Sequence, residues 1–253
     1  MELVSTYTQR WAQSNGGLSA RTTDTGSVAF MCGDVSVDAT VADARATITV
    51  DQAFELMPSC GVYQITVKGS STKTYSVERV GNRYASIDDM REYSKANNDG
   101  FEKLPDKTIN QAIQKAEEVI DRSCGRSFCE RVIETYLYGG NLCELPVIDA
   151  YALDCPLPNA RLVSYCQAIG ITESCTARIT YGQTLTAQIS EACVRLAASY
   201  LRPRVAAENA RGTAMGGVFI SYELATGEDG SWTGIPFVDA AIAQNRSRRV
   251  ILA

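Results

Sequence analysis

Cysteine is the residue type in this chain with the widest chemical repertoire, because a thiolate can act as a nucleophile or as a metal ligand. The sequence has nine cysteines and no histidine. Their spacing is irregular and contains no Cys-x-x-Cys pair, with Cys124 and Cys129 the nearest neighbours. Zinc sites use short, regular spacings and commonly add histidine. We therefore predict reduced, mostly buried thiols that pack as small apolar side chains, with no metal site and no cofactor.

The missing histidine also narrows the catalytic options. Imidazole is the commonest general base and the only side chain that titrates near neutrality without perturbation. Serine and cysteine hydrolases that depend on histidine are excluded, whereas a carboxylate dyad or a Ser-Lys pair stays formally open. The adjacent carboxylates Asp88 and Asp89 follow Ser86, a pattern that indicates a helix cap with Ser86 as N-cap and Asp89 at N3. We expect a protein without enzymatic activity.

A glycine-rich stretch at residues 212–217 superficially resembles a phosphate-binding loop. It lacks the Lys-Ser/Thr ending and a preceding strand, so we interpret Gly212, Gly216 and Gly217 as a flexible hinge. The net charge of −5 and a pI near 5.0 also disfavour a surface that grips the phosphate backbone of DNA. We expect double-stranded DNA to pass nearby without sequence-specific binding.

The first 82 residues read as β-structure. Runs at 44–50, 61–68 and 73–80 alternate apolar and polar residues, and the last two flank a turn at 69–71 as a hairpin. Several short strands of this kind indicate a small sandwich or barrel. Residues 51–57 form either a single helical turn or a loop. The N-terminus lacks a signal-peptide pattern and the chain has no long apolar run, so we expect a soluble, unprocessed protein without membrane contact.

The later residues are predominantly helical. We predict a short helix at 86–95 and two longer amphipathic helices at 106–124 and 186–201, with Gly125 at C′ of the first and Thr186 as N-cap of the second. Residues 128–182 between them form a strand-rich insertion. Residues 235–245 also have helical spacing, and Arg246, Arg248 and Arg249 precede an apolar end, Val250-Ile251-Leu252-Ala253. This basic, then β-branched segment is a candidate for pairing with the sheet edge of another chain.

Five stretches of the sequence, taken in order, resemble the head-to-tail connector (adaptor) proteins of tailed bacteriophages. They are YASIDDM at 84–90, AEEVIDRSCGRSF at 116–128, LCELP at 142–146, ITYG at 179–182 leading into the helix at 189–200, and GIPFVDAAI at 234–242 with the basic cluster after it. The match covers residues 84–253. This chain departs from the family in its β-rich extension at 1–82 and in its more elaborate strand region.

The resemblance implies a virion structural protein of the neck, assembled in the host cytoplasm. Its copies would form a ring, usually of twelve, that joins the portal to the next neck or tail completion protein and forms part of the conduit for DNA ejection. The C-terminal tail of this chain, which begins at Arg246, would dock on the portal. The docking residues implied are Arg246, Arg248, Arg249, Val250, Ile251 and Leu252.

The predicted fold class is α+β, with a small helical adaptor core that carries a β-rich insertion and follows an all-β N-terminal domain. The predicted ranges are 1–82 for the β domain, 83–205 for the core with its insertion at 128–182, and 206–253 for an extended arm that docks on a partner. Two alternatives stay open. In one, a virion surface binding module, the N-terminal domain recognises a glycan or host surface through Trp11, Tyr63 and Tyr75; the other is a thiol- or metal-dependent enzyme.

Overall fold

The computed structural model describes residues 1–202, 212–215, 218–221 and 233–247. The chain divides into two compact units. The first joins Met1–Ser86 to Gly125–Leu185 and is mostly β-structure, and the second joins Ile87–Cys124 to Thr186–Ala253 and is mostly helical. The predicted α+β class is confirmed. The boundaries 1–82, 83–205 and 206–253 stay predictions, although the contacts group the strand-rich insertion with the N-terminal region.

A single curled sheet of seven strands forms the first part of unit 1. Its strands are β1 (Gln9–Trp11), β2 (Leu18–Arg21), β3 (Val28–Cys32), β4 (Val35–Ala42), β5 (Arg45–Ile48), β6 (Gly61–Lys68) and β7 (Thr72–Arg79). The order is β1-β7-β6-β3-β4-β5-β2, with β1 parallel to β7 and the other neighbours antiparallel. Glu2 bridges to Ser19 on β2. The N-terminal segment therefore lies along both edges of the sheet, a barrel-like arrangement that covers edges which would otherwise be unpaired.

Alternating side chains fill the inside of this sheet. Trp11, Phe30, Ile65 and Val77 are fully buried, and the indole nitrogen of Trp11 donates to the carbonyl of Gly16 at 2.8 Å. The predicted hairpin at 61–80 is confirmed as β6 and β7.

Between β5 and β6, residues 51–57 fall mostly within a helix, α1 (Val50–Leu56). Thr49 and Gln52 form a capping box at its start: the Thr49 hydroxyl accepts from the Gln52 amide at 3.3 Å, and the Gln52 side-chain oxygen accepts from the Thr49 amide at 2.9 Å. Ala53 and Leu56 are buried against the sheet core. The helical alternative for this segment is thus the correct one.

The strand-rich insertion forms two small antiparallel sheets with a shared core. The first is β10 (Ala150–Asp154), β13 (Cys175–Tyr181) and β8 (Arg131–Leu137), in that order, and the second is β11 (Arg161–Ser164), β12 (Gln167–Ile169) and β9 (Cys143–Glu144). Leu137, Ala168, Ile171 and Ile179 are among the buried residues of this core. β8 and β10 are the outer strands of the first sheet.

A cluster of polar contacts joins the end of β7 to the start of β8. The guanidinium of Arg131 donates to both carboxylate oxygens of Glu78, at 2.6 and 2.9 Å, and Arg10 lies 3.6 Å from the same carboxylate. The amide of Phe128 donates to the hydroxyl of the buried Tyr84 at 2.6 Å. These contacts explain why two segments separated by a helical stretch fold as one unit.

The described residues of unit 2 contain four α-helices. They are α2 (Ile87–Asn97), α3 (Asp106–Cys124), α4 (Ala187–Leu201) and α5 (Pro236–Asn245), and a hairpin of β14 (Gly212–Met215) and β15 (Val218–Ser221) precedes α5. The predicted bounds of α3 and α4 are confirmed. The hydroxyl of Thr186 accepts from the amide of Ile189 at 3.3 Å, and Gly125 has φ of +67° as a C′ residue requires. The capping role of Ser86 and Asp89 stays a prediction. Among the described helices, none is long and apolar enough to cross a membrane.

The C-terminal helix corrects one expectation. Residues 206–253 were expected to form an extended arm, but α5 packs against α3 and α4, with Val238, Ala241 and Ile242 buried. The amide of Ser247 donates to the carbonyl of Cys124 at 2.8 Å. Burial of an apolar stripe outweighs the extended alternative here, so residues 233–247 belong to the helical unit.

The Glu78–Arg131 pair gives a first prediction. Replacing Arg131 by Met leaves a carboxylate that is 9% exposed without its bidentate partner, so we expect the free energy of unfolding to fall by about 3 kcal/mol. Arg45→Met is the matched control, because Arg45 pairs with Glu2 while half exposed, and such pairs contribute about 0 to 1 kcal/mol. Urea denaturation of both variants measures the difference; equal losses would contradict the role assigned to the Glu78–Arg131 pair.

Gly182 gives a second prediction. It has φ of +124°, and a Cβ on it would lie 2.0 Å from the carbonyl oxygen of Cys129. Gly182→Ala is therefore expected to destabilise the protein by about 2 kcal/mol or more. A Cβ on Gly26 meets nothing within 4 Å, so Gly26→Ala should change stability by less than about 1 kcal/mol. Thermal unfolding of the two variants side by side tests this, and a neutral Gly182→Ala would show that the close approach is not constrained.

Candidate docking surfaces

The predicted docking tail begins at the end of α5. Arg246 is the C-cap residue of this helix and is exposed. Arg248, Arg249, Val250, Ile251 and Leu252 lie outside the described residues. Their docking role stays a prediction.

The root of the tail is held firmly on the helical unit. The side-chain amide of Gln188 on α4 donates to that of Gln244 at 2.8 Å, and the amide of Asn245 donates to Gln188 at 3.4 Å. The guanidinium of Arg195 stacks 4.2 Å from the ring centroid of Phe237. These contacts fix the point from which the tail leaves its own helical body.

The predicted hinge is only partly described. Gly212 pairs with Ser221 in the ladder of β14 and β15, and Met215 pairs with Val218 on either side of the connection. Gly216 and Gly217 lie outside the described residues. A hinge at these three glycines therefore stays a prediction.

The structure adds an exposed aromatic surface on β8 and the residues that follow it. We call it the aromatic edge and define it as Glu134, Tyr136, Tyr138 and Leu142. Tyr136 and Tyr138 are 55% and 76% exposed, and their rings meet edge to face with centroids 5.4 Å apart. Leu142, four residues further on, is 54% exposed, whereas the intervening Leu137 is buried.

Sequence reasoning predicted a strand-rich insertion at 128–182 but did not identify an exposed face of it as a surface. The alternation of Glu134, Tyr136 and Tyr138 against Ile133 and Leu137 predicts two faces without saying which one is covered. The presence of two tyrosines at positions i and i+2, on the same face as a glutamate, was the sequence feature that could have indicated an exposed aromatic surface.

The three aromatic residues of the glycan-binding alternative pack in or against the core of the curled sheet. Trp11 is 0% exposed and Tyr75 is 6% exposed, and both belong to the core of the curled sheet. Tyr63 packs partly buried against the same core, and its hydroxyl donates to the carbonyl of Ser59 at 2.8 Å. These three side chains form no exposed platform for a sugar ring.

Six of the nine cysteines are buried, and Cys32, Cys155 and Cys166 are half-buried. Cys60 is buried, and burial together with a hydrogen bond to Glu130 raises its pKa to about 12. Burial also raises the pKa of Cys32, Cys143 and Cys175. A raised pKa keeps the thiol protonated, which disfavours both nucleophilic attack and metal ligation. Within the described ranges, no three Cys, Asp or Glu side chains are grouped as a metal site.

A polar cleft of about 650 Å³ lies near Cys60. It is lined by Asn82, Glu130, Tyr151, Gly182, Gln183, Thr184 and Leu185. The Tyr151 hydroxyl donates to the Glu130 carboxylate at 2.7 Å, and burial and this carboxylate raise the pKa of Tyr151. With its phenol protonated and its carboxylate already hydrogen-bonded, the cleft presents no activated nucleophile.

No protein-family model matches the chain, and neither does any curated protein. Chains of three solved structures are similar to it. One from the "Neck of empty GTA particle computed with C6 symmetry" has a TM-score of 0.44 at 16% identity and covers 65% of this chain and 91% of that chain. One from the "Neck of native GTA particle computed with C12 symmetry" has a TM-score of 0.41 at 17% identity, with 65% and 93% covered. One from the "Virion of native gene transfer agent (GTA) particle" has a TM-score of 0.41 at 16% identity, with 59% and 82% covered. Each likeness is partial.

The pKa of Cys60 gives a third prediction. An unperturbed thiol has a pKa near 9. At pH 8 the thiolate fraction of Cys60 is therefore smaller than that of an unperturbed thiol by a factor on the order of 1000. The rate of alkylation of Cys60 by iodoacetamide, followed by peptide mass spectrometry, should therefore keep rising with pH up to pH 10.5.

In the urea-unfolded chain the same rate should level off above about pH 9. Restricted access of the reagent alone would slow the native reaction without changing the shape of its pH profile. A native rate that levels off near pH 9 would thus contradict the raised pKa.

Proposed function

We propose that this protein is a structural component of a virion neck in a tailed phage or phage-like particle. Copies of the chain form a ring that joins the portal to a neck or tail completion protein, and the ring encloses part of the path of the DNA. The proposal extends to assembly in the host cytoplasm and to a role without catalysis.

One observation carries the proposal: stretches that resemble the adaptor family but lie far apart in sequence meet at one place. Tyr84, from the first stretch, accepts the hydrogen bond of Phe128, from the second, at 2.6 Å. The amide of Gln183 donates to the carbonyl of Ser127 at 2.9 Å directly after the fourth stretch. A chance series of weak matches has no reason to converge in space, whereas a shared architecture requires it.

Each residue of the Gly-Arg-Ser-Phe turn at 125–128 has a structural role at this meeting point. Gly125 adopts φ of +67° to end α3, and Arg126 forms an ion pair with Asp149 at 3.3 Å. The Ser127 hydroxyl approaches the Tyr84 hydroxyl at 3.3 Å. The turn therefore links the end of the longest helix to the strand insertion.

The charge of the chain supports a conduit that does not retain DNA. The net charge is −5, which disfavours a broad basic surface that would neutralise phosphates. A duplex can slide past such a wall without releasing condensed counterions. The basic residues at 246, 248 and 249 are instead confined to the tail.

The tail gives a fourth prediction. Changing Arg246, Arg248 and Arg249 to Glu should weaken binding to the portal protein of the same particle at least tenfold, because three attractive charges become repulsive. Removing residues 248–253 should have a similar effect and keep the fold, since α5 ends before them. Surface plasmon resonance with immobilised portal measures both variants.

The matched control for net charge replaces the exposed Lys68, Lys73 and Lys103 by Glu. It should leave portal binding within about twofold, because exposed charges outside the docking segment are largely screened by salt. Unchanged binding of the tail variants would show that the tail is not the portal-docking segment.

A further inference from the structure

We propose that the aromatic edge of one copy binds the C-terminal segment 246–252 of a second copy. The inference rests on the proposed self-assembly and names the contact between copies whose tails are not on the portal. β8 is the outer strand of the order β10-β13-β8, and in the described part of the chain no further strand pairs with it. An outer strand presents a row of N–H and C=O groups that an extended segment can satisfy by adding a strand.

The apolar part of the edge matches the apolar part of the tail. Tyr136, Tyr138 and Leu142 are each more than half exposed and lie within seven consecutive residues. A cluster of large exposed apolar side chains on a soluble protein commonly marks a contact site. Val250, Ile251 and Leu252 supply aliphatic side chains, two of them β-branched and suited to a strand.

Charge selects the tail as the occupant. Residues 131–178 carry five acidic side chains, Glu134, Glu144, Asp149, Asp154 and Glu173, and three basic ones, Arg131, Arg161 and Arg178. Arg131 is held by Glu78, and Arg178, the ladder partner of Glu134, donates to the Ser59 hydroxyl and the Cys60 carbonyl. Glu134 lies on the face of Tyr136, and Glu173 is next to Gly139, because a Cβ there would lie 3.0 Å from the Glu173 Cα. Residues 246–253 carry three arginines and no acidic side chain. No other segment of the chain is so uniformly basic.

The order of residue types along the tail also matches the order along the aromatic edge. Side chains two apart in a strand share a face, so Glu134, Tyr136 and Tyr138 form one row. In an extended tail, Arg248, Val250 and Leu252 form the corresponding row. A parallel alignment sets Arg248 beside Glu134, Val250 beside Tyr136 and Leu252 beside Tyr138, whereas an antiparallel one sets Leu252 beside a carboxylate.

The contact is head-to-tail because the edge and the tail are different surfaces. Repeated from copy to copy, such a contact closes into a ring when the rotation allows it. One tail occupies one acceptor at a time, so the neighbour contact belongs to copies whose tails are not on the portal.

The test measures the mass of the full-length chain by sedimentation velocity. Wild type should self-associate, and the assembly should weaken between 0.1 and 0.5 M salt because the charges are exposed. The edge variant Tyr136→Ser/Tyr138→Ser and the tail variant Val250→Asp/Leu252→Asp should each associate at least tenfold more weakly. Mixing the two variants should restore one-to-one pairs, because the edge variant keeps an intact tail and the tail variant an intact edge.

The control Val35→Ser/Val163→Ser removes two exposed apolar side chains elsewhere and should associate as wild type does. Circular dichroism melting checks that each variant is folded. A wild type that is monomeric at all concentrations, an edge variant that associates normally, or a mixture that forms no pairs would overturn the proposal. Portal binding measured in parallel distinguishes the proposed neck function from the proposed contact between copies. Variants that lose portal binding but self-associate normally would support the neck function and contradict the contact between the aromatic edge and the tail.

Discussion

The structure of unit 1 depends on the buried carboxylate of Glu78 and the guanidinium that holds it. Arg131 satisfies both oxygens, at 2.6 and 2.9 Å, and a bidentate pair of this kind is directional as well as strong. Removing both charges from water is costly, so the pair contributes little net stability as a unit but penalises any arrangement that separates its members. It therefore specifies where β8 starts relative to β7.

Backbone hydrogen bonds near the Glu78–Arg131 pair also fix segments of unit 1 relative to one another. The amide of Gly81 donates to the carbonyl of Glu130 at 3.0 Å, and that of Gly182 to the carbonyl of Asp149 at 3.2 Å. At both glycines a Cβ would meet the 129–130 backbone or side chain within 2.9 Å. The three points where the chain passes between units, near Ser86, Gly125 and Leu185, are thus each close in sequence to a fixed contact in unit 1. The aromatic edge at the far end of β8 takes its position from this arrangement.

The sequence predicts the local elements well and their long-range partners poorly. The bounds of α3 and α4 follow from continuous apolar stripes with Thr186 and Gly125 as terminal signals, all of which are local. The pairing of Glu78 with Arg131 joins residues 53 positions apart, and neither residue type singles out the other among 53 charged side chains, 24 basic and 29 acidic. For the same reason the return of α5 onto its own unit was missed, because Val238, Ala241 and Ile242 define an apolar stripe but not what covers it.

The central claim is that the chain works by assembling around an axis. Electron microscopy of the purified protein mixed with the portal protein of the same particle tests it most directly. The account predicts a closed ring of this chain stacked coaxially on the portal ring, with a central channel wide enough for a DNA duplex. Single copies scattered around the portal, or a portal that stays bare, would contradict it.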